Sequence, residues 1–158
     1  MVALFYFSIL VTASFLIYSV KKSKGIPESL SATYYTLGSE GWMFQMVTGV
    51  LGFVLFPVWV EVSEPEHQWM AFLSCSGLLF VSSAPSFRIP LQGLVHYSSA
   101  IICCVCAIFW QIASGLWDVL FWFAFLGLML TLQMKDKYMW WLECAVIGSL
   151  FCNLIRLV

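Results

Sequence analysis

The chain has 158 residues, of which 62% are hydrophobic and 9% are charged, and its formal net charge is −1. Soluble domains carry about 25% charged residues, so the composition excludes that class and favours a membrane protein. No basic stripe could neutralise phosphates, which argues against nucleic acid as a partner. No Pro-, Gly- or Ser-rich linker divides the sequence, and we therefore expect a single transmembrane domain, residues 1–158.

The first apolar run, about residues 2–20, is long enough to cross a membrane. A helix of about 20 residues covers the hydrocarbon layer, which is about 30 Å thick. Lys21, Lys22 and Lys24 follow the run. A signal peptide has its positive charge before the apolar run, so this order predicts an uncleaved helix whose N-terminus lies outside the cytoplasm.

The next segment, residues 24–41, is more polar. Pro27 is typical of the first turn of a helix and Gly38 of its end, which predicts a short interfacial helix on the cytoplasmic face. Its hydroxyl groups could gate a substrate or contact lipid headgroups. The alternative, which we prefer, is that they satisfy local backbone groups of the helix. These candidate interfacial residues are Ser29, Ser31, Thr33, Tyr34 and Tyr35.

Five further apolar runs complete the chain. Pro57 should kink or end the first of them near the outer surface, because proline cannot donate the helical hydrogen bond. Only three residues separate the last two runs, so those helices should be antiparallel neighbours. We expect these spans at about residues 42–60, 69–84, 94–114, 117–134 and 138–157.

Lys and Arg residues follow alternate runs. Three lysines follow the first run, Arg88 follows the third, and Lys135 and Lys137 follow the fifth. Short loops rich in Lys and Arg stay in the cytoplasm, so the alternation places both termini outside. The fold class we predict is all-α, a polytopic bundle of six transmembrane helices with a short cytoplasmic interfacial helix. The intervening loops carry the acidic residues Glu61, Glu64, Glu66 and Asp118.

Small and polar residues recur at helical spacing on four of the runs. Helices in lipid associate through such faces, so the plainest interpretation is that they are packing seams. The alternative is that some of them line a polar cavity. The four sets are Ser8, Thr12 and Ser19; Gln45, Thr48, Gly49 and Gly52; Ala71, Ser74, Cys75 and Ser82; and His96, Ser99, Ala100, Cys103, Ala107, Gln111 and Ser114.

Three polar side chains, Gln45, His96 and Glu143, should lie at comparable depth, about a turn inside the cytoplasmic boundary. An ionisable group in a spanning helix is costly and usually finds a partner inside the bundle. We therefore predict that His96 and Glu143 form a hydrogen-bonded pair. The pair would act as a structural clamp, and a proton or substrate site is the alternative.

We expect neither a metal nor another cofactor. His67 and His96 should lie on opposite sides of the membrane, whereas a zinc site needs several ligands at one depth. The six cysteines all lie in apolar runs, which favours packing thiols over a disulfide framework. The segment 74–77, Ser-Cys-Ser-Gly, suggests a nucleophile, but no base should lie at its depth, so intramembrane hydrolysis ranks last.

Three segments together resemble a group of small uncharacterised multi-pass membrane proteins of gut bacteria and their phages. They are Gly-Ile-Pro-Glu-Ser-Leu-Ser-Ala-Thr-Tyr-Tyr at 25–35, Leu-Leu-Phe-Val-Ser-Ser-Ala-Pro-Ser-Phe at 78–87 and Val-His-Tyr-Ser-Ser-Ala at 95–100. The resemblance covers most of the chain and implies a bacterial inner membrane, with no activity attached. A fainter likeness, a Pro-containing loop followed by a His, is to Frag1/DRAM/Sfk1-type membrane proteins.

The function we expect is that of a non-enzymatic bundle that binds membrane lipids or another membrane protein, with a homo-oligomer left open. The alternative is a small transporter or channel with a polar site in the cytoplasmic leaflet. Three spans followed by three more would give two halves of opposite orientation, which is the geometry of inverted repeats.

Overall fold

The computed structural model describes residues 2–86 and 89–158, without the side chains of residues 89 and 90. Arg88 lies outside the described residues. Within them the protein is all-α, with seven α-helices and no strand. The helices are α1 (Val2–Lys22), α2 (Thr33–Thr36), α3 (Trp42–Val62), α4 (Gln68–Ser83), α5 (Ile89–Ala113), α6 (Trp117–Gln133) and α7 (Tyr138–Leu157).

Five helical segments of the described chain are long and apolar enough to cross a membrane. They correspond to α1, α3, α4, α5 and α7; the segments of α3, α4 and α7 include flanking 3₁₀ turns, and that of α5 runs from Leu91 to Ala113. Helix α6 is equally apolar but shorter, with 17 residues. At about 1.5 Å per residue it is about 26 Å long, slightly less than the usual hydrocarbon thickness.

The helix bounds agree closely with the apolar runs, and two prolines mark points of interest. Helix α3 continues through Pro57 to Val62, so of the two predicted effects of Pro57, a kink or an end, the helix does not end there. Proline is tolerated inside membrane helices, where neighbouring groups satisfy the freed carbonyl. Helix α5 begins at Ile89, five residues before the predicted 94, because Pro90 falls in its first turn, where no N–H is needed.

The helices enclose a common centre. Helix α3 packs against α1 and α4, α4 packs against α5, and α7 packs against both α5 and α6. Phe5 and Phe151, whose ring centroids are 6.1 Å apart, bring α1 against α7. Helices α1, α3, α4, α5 and α7 therefore surround the middle of the bundle, and α6 lies on the outside of α7.

Small residues set the closest of these approaches. A Cβ atom on Gly77 of α4 would lie 2.7 Å from the carbonyl oxygen of Ser99 and 3.0 Å from the amide nitrogen of Cys103, both on α5. Beside this contact the Ser74 hydroxyl donates to the Cys103 carbonyl at 2.8 Å. The absence of a side chain at Gly77 thus lets two backbones touch and lets a polar group bridge them.

The interior of the bundle combines apolar side chains with small polar ones, and the outside is apolar. Ser8, Ser19 and Ser74 are fully or almost fully buried, whereas Phe53 and Trp122 are 72% and 66% exposed. This distribution is typical of helices that contact lipid and pack through small faces. Members of each of the four predicted small and polar sets are buried, which confirms that the sets face the interior.

The two ends of the bundle carry different charges. The turns between α1 and α3 and between α6 and α7 meet at one end, where the Trp140 amide donates to the Glu28 carbonyl at 3.1 Å. We call it the lysine end, since it holds Lys21, Lys22, Lys24, Lys135 and Lys137. The opposite end holds Glu61, Glu64 and Glu66, and we call it the glutamate end.

The segment 24–41 differs from the predicted interfacial helix. Only Thr33–Thr36 is α-helical, followed by one 3₁₀ turn at Gly38–Glu40, and Pro27 lies outside both. Gly38 has the positive φ of +58° expected of a glycine that ends a helix. The chain before this short helix bonds to α7 at Glu28 and Leu30 as well as to itself, and Leu37 after it is buried against the bundle.

Candidate functional site

A cavity of about 130 Å³ lies at the centre of the bundle. Five helices and the segment 30–31 form its wall, and α6 takes no part. The wall consists of Thr12, Phe15 and Leu16; Leu30 and Ser31; Phe44, Val47, Thr48, Leu51, Leu55 and Trp59; Ser74, Cys75, Leu78 and Val81; His96, Ala100, Cys103, Cys104 and Ala107; and Glu143, Val146, Ile147, Leu150 and Phe151.

The cavity is long and narrow. On α3 its wall runs from Phe44 to Trp59, which lie on one face of the helix at spacings of three and four residues. Fifteen residues at about 1.5 Å each make a length of about 22 Å. Pockets for compact drug-sized ligands hold about 300–1,000 Å³. A cavity of about 130 Å³ that extends over this length therefore suits a single chain of atoms.

Most of the wall is apolar, and the hydroxyl groups that its helices contribute are already bonded. The Thr12 hydroxyl donates to the Ser8 carbonyl at 2.8 Å, and the Thr48 hydroxyl donates to the Phe44 carbonyl at 2.8 Å. Ser74 is likewise committed to a backbone carbonyl of α5. These hydroxyls therefore present their carbon atoms to the cavity, and Ser74 is not set up as a nucleophile.

Glu143 is the acidic side chain of the wall. It lies in the second turn of α7, and its Oε2 accepts a hydrogen bond of 2.6 Å from the backbone amide of Leu30. Two residues before Leu30, the Glu28 carbonyl accepts from the Trp140 amide, which has no partner within the first turn of α7. Segment 24–41 is thus attached to the start of α7 by two hydrogen bonds.

His96 lies on the wall at the same end as Glu143. The predicted hydrogen bond between them is not among the contacts of the described residues, since the carboxylate bonds to the backbone of Leu30 instead. The imidazole ring packs edge-on against Tyr97, with centroids 5.6 Å apart. The two ionisable groups therefore share a cavity without touching through a hydrogen bond.

Gln45 is separate from this pair. Its side-chain amide donates to the Ser82 carbonyl at 3.0 Å, and the Ser82 hydroxyl donates back to the Gln45 carbonyl at 2.6 Å. This reciprocal pair joins α3 to α4, and Gln45 is not part of the cavity wall. Of the three polar residues predicted to lie together, Glu143 and His96 lie on the cavity wall, and Gln45 instead joins α3 to α4.

The five predicted interfacial residues divide between local hydrogen bonds and contacts with the bundle. Ser29 accepts from the Ala32 amide at 3.0 Å, and Thr33, fully buried, donates to the Leu30 carbonyl. Tyr34 packs in a cluster with Phe15 and Phe44, and the Tyr35 hydroxyl accepts from Gln92 at 2.8 Å. Ser31 lines the cavity. Ser29 and Thr33 therefore satisfy nearby backbone groups, which is the alternative that the sequence analysis preferred.

Two buried features near the glutamate end were missed from sequence. Asn153 of α7 donates to the Gln111 side chain at 2.9 Å and to the Leu116 carbonyl at 3.0 Å. Trp59, 1% exposed and on the cavity wall, packs edge-on against Trp110, and its indole N–H has no hydrogen-bond partner in the described structure. A lone Asn in an apolar run was the signal for the first; nothing in the sequence marked the second.

Two other places carry some features of a site. Glu64, Glu66 and His67 at the glutamate end each bring one ligand atom within 4.8 Å of the others. The two carboxylates are solvent-exposed, which is common without an ion, so we assign no metal there. A groove of about 640 Å³ runs along residues 132–137 and Ile26 at the lysine end. Its wall consists almost wholly of the end of α6 and the turn that follows, so polar groups from different helices do not converge there.

The chain matches no protein-family model, no curated protein and no solved structure. Both family resemblances therefore remain predictions.

Proposed function

We propose that the protein is a non-enzymatic integral membrane protein that binds one chain of a lipid-like amphiphile in its central cavity. The observation that supports this most is the shape and lining of the cavity: about 130 Å³, long, and apolar along most of the wall. Apolar ligands bind where apolar walls exclude water and a few polar groups fix orientation. Here Glu143 and His96, at the lysine end, are those groups.

In this proposal α6 also crosses the membrane, so that six helices span it and both termini lie outside the cytoplasm. Lys135 and Lys137 follow α6, and short Lys-rich loops stay in the cytoplasm. A helix of 17 residues is accommodated by slight local thinning of the bilayer. A bacterial inner membrane is the location we propose.

Topology is tested with reporters fused after Val158 in a bacterial host. Alkaline phosphatase, which is active only outside the cytoplasm, should be active, and green fluorescent protein, which folds in the cytoplasm, should be dark. The opposite pattern would contradict the six-span arrangement.

Ligand binding is tested by fluorescence, because Trp59 lies on the cavity wall and is 1% exposed, so lipid tails outside cannot reach it. The probe is ω-bromoundecanol, a single chain whose bromine quenches tryptophan on contact. In nanodiscs we expect a saturable quenching component that disappears in Trp59→Phe. Trp69→Phe is the control, since Trp69 is 54% exposed and contacts bulk lipid.

A second variant, Ala107→Leu, adds side-chain volume to the wall at a residue that is 1% exposed. It should remove the saturable component while Trp59 remains in place. If quenching rises linearly with probe concentration, and equally in Trp59→Phe, Trp69→Phe and Ala107→Leu, the alkyl chain of the probe does not enter the cavity.

A transporter or channel is the second candidate. The feature that favours it is the length of the cavity, about 22 Å along α3, which covers most of the depth of a bilayer. It requires water in the cavity, whereas lipid binding does not.

A further inference from the structure

We infer that the head group of the bound amphiphile is an ammonium cation, held at the lysine end of the cavity by the Glu143 carboxylate. This inference rests on the proposed function, because it requires that a chain occupy the cavity. It adds the chemical class of the ligand: a single-chain amine rather than an alcohol or a fatty acid.

The first support is the charge of the wall. Among the described residues that form it, Glu143 is the one carboxylate, and neither Lys nor Arg is present. A carboxylate inside a membrane protein is costly unless a cation or hydrogen bonds compensate it. The Leu30 amide supplies one hydrogen bond, to Oε2. No described residue donates to Oε1, so half of the carboxylate is available to a ligand.

The second support is the set of acceptors on the cavity wall. A primary ammonium group has three N–H donors and no acceptor. Besides Glu143, the wall includes His96 and Ser31, and the Ser31 hydroxyl also bonds to the Ser29 hydroxyl at 3.1 Å. A neutral imidazole and a hydroxyl oxygen both accept hydrogen bonds, so the wall carries acceptors in addition to the carboxylate.

The third support is aromatic. Phe15 and Phe44 lie on the wall, with ring centroids 6.4 Å apart. Aromatic faces attract cations, and most strongly where water is excluded. A fatty-acid head group would instead meet a like charge at Glu143, and an alcohol would leave that charge uncompensated.

The test compares three ligands with the same chain: dodecylamine, dodecanol and dodecanoate. Each competes with ω-bromoundecanol for the cavity, read as recovery of Trp59 fluorescence in nanodiscs of zwitterionic lipid. Dodecylamine should displace the probe at a concentration about tenfold or more below that of dodecanol, as expected for one charge-assisted hydrogen bond. Dodecanoate should be the weakest.

Glu143→Gln should reduce the amine preference to within about twofold while keeping the fold, since an amide of the same shape still accepts from Leu30. Glu28→Gln is the matched control: Glu28 lies on the same segment, its side chain is exposed, and its backbone contact to α7 is unchanged. The control should keep the full amine preference.

The outcomes separate the two proposals. If dodecanol displaces the probe as well as dodecylamine does, or if dodecanoate binds tightest, the head-group inference fails and the chain-binding function stands. If the probe itself gives no saturable quenching, the proposed function fails. Should Glu143→Gln not fold, the wild-type ligand series decides the question by itself.

Discussion

Gly77 provides a sharp test of how α4 and α5 are held together. A methyl group there would lie 2.7 Å from a carbonyl oxygen and 3.0 Å from an amide nitrogen of α5. Both are backbone atoms, so no side chain can rotate away and the helices must move apart. Overpacking of this kind costs about 1–3 kcal/mol. We therefore expect Gly77→Ala to lower the free energy of unfolding by about that amount.

Gly93 of α5 is the matched control, because it is also a helical glycine but is exposed, and its added methyl would meet nothing nearer than 3.9 Å. Alanine in an open helical position stabilises by about 0.5–1 kcal/mol relative to glycine. Unfolding in mixed detergent and SDS, followed by circular dichroism, measures both variants. If Gly77→Ala is as stable as Gly93→Ala, the close backbone contact between α4 and α5 is not real.

Two further predictions concern the interior. Asn153→Leu removes the donor to the Gln111 side chain. Because hydrogen bonds between membrane helices are of modest strength, the variant should be destabilised by about 1–2 kcal/mol in the same unfolding assay. An unchanged midpoint would mean that the hydrogen bonds of Asn153 contribute nothing to stability. Cys103 and Cys104, on the cavity wall, should resist a membrane-impermeant maleimide in the folded protein and react once SDS unfolds it. Labelling of the folded protein would favour the transporter over lipid binding.

The cysteine test also illustrates what the pattern of apolar runs does not contain. All six cysteines lie in apolar runs, and the sequence does not distinguish among them. The structure places three of them, Cys75, Cys103 and Cys104, on the cavity wall. Which face of a helix points inward depends on its rotation against its neighbours, and an apolar helix gives little amphipathic signal to set that rotation.

The residues of the site were partly predictable. Glu143 and His96 were expected at one depth, and both lie on the wall of the same cavity. Their predicted hydrogen bond was not found, because Glu143 bonds to the amide of Leu30, which is 113 residues away in the chain. A prediction from sequence considers which side chains could bond to each other, and it cannot identify a backbone donor that is distant in the chain.

The sequence alone determined where the six long helices of this protein lie, to within a few residues at each end, because run length acts locally. It also separated the lysine end from the glutamate end. Only the tertiary structure decided that five of the helices leave a narrow apolar space between them and that segment 24–41 bonds to α7. Those features depend on how closely neighbouring helices approach, at contacts such as Gly77 with α5, and such distances arise only when the helices pack.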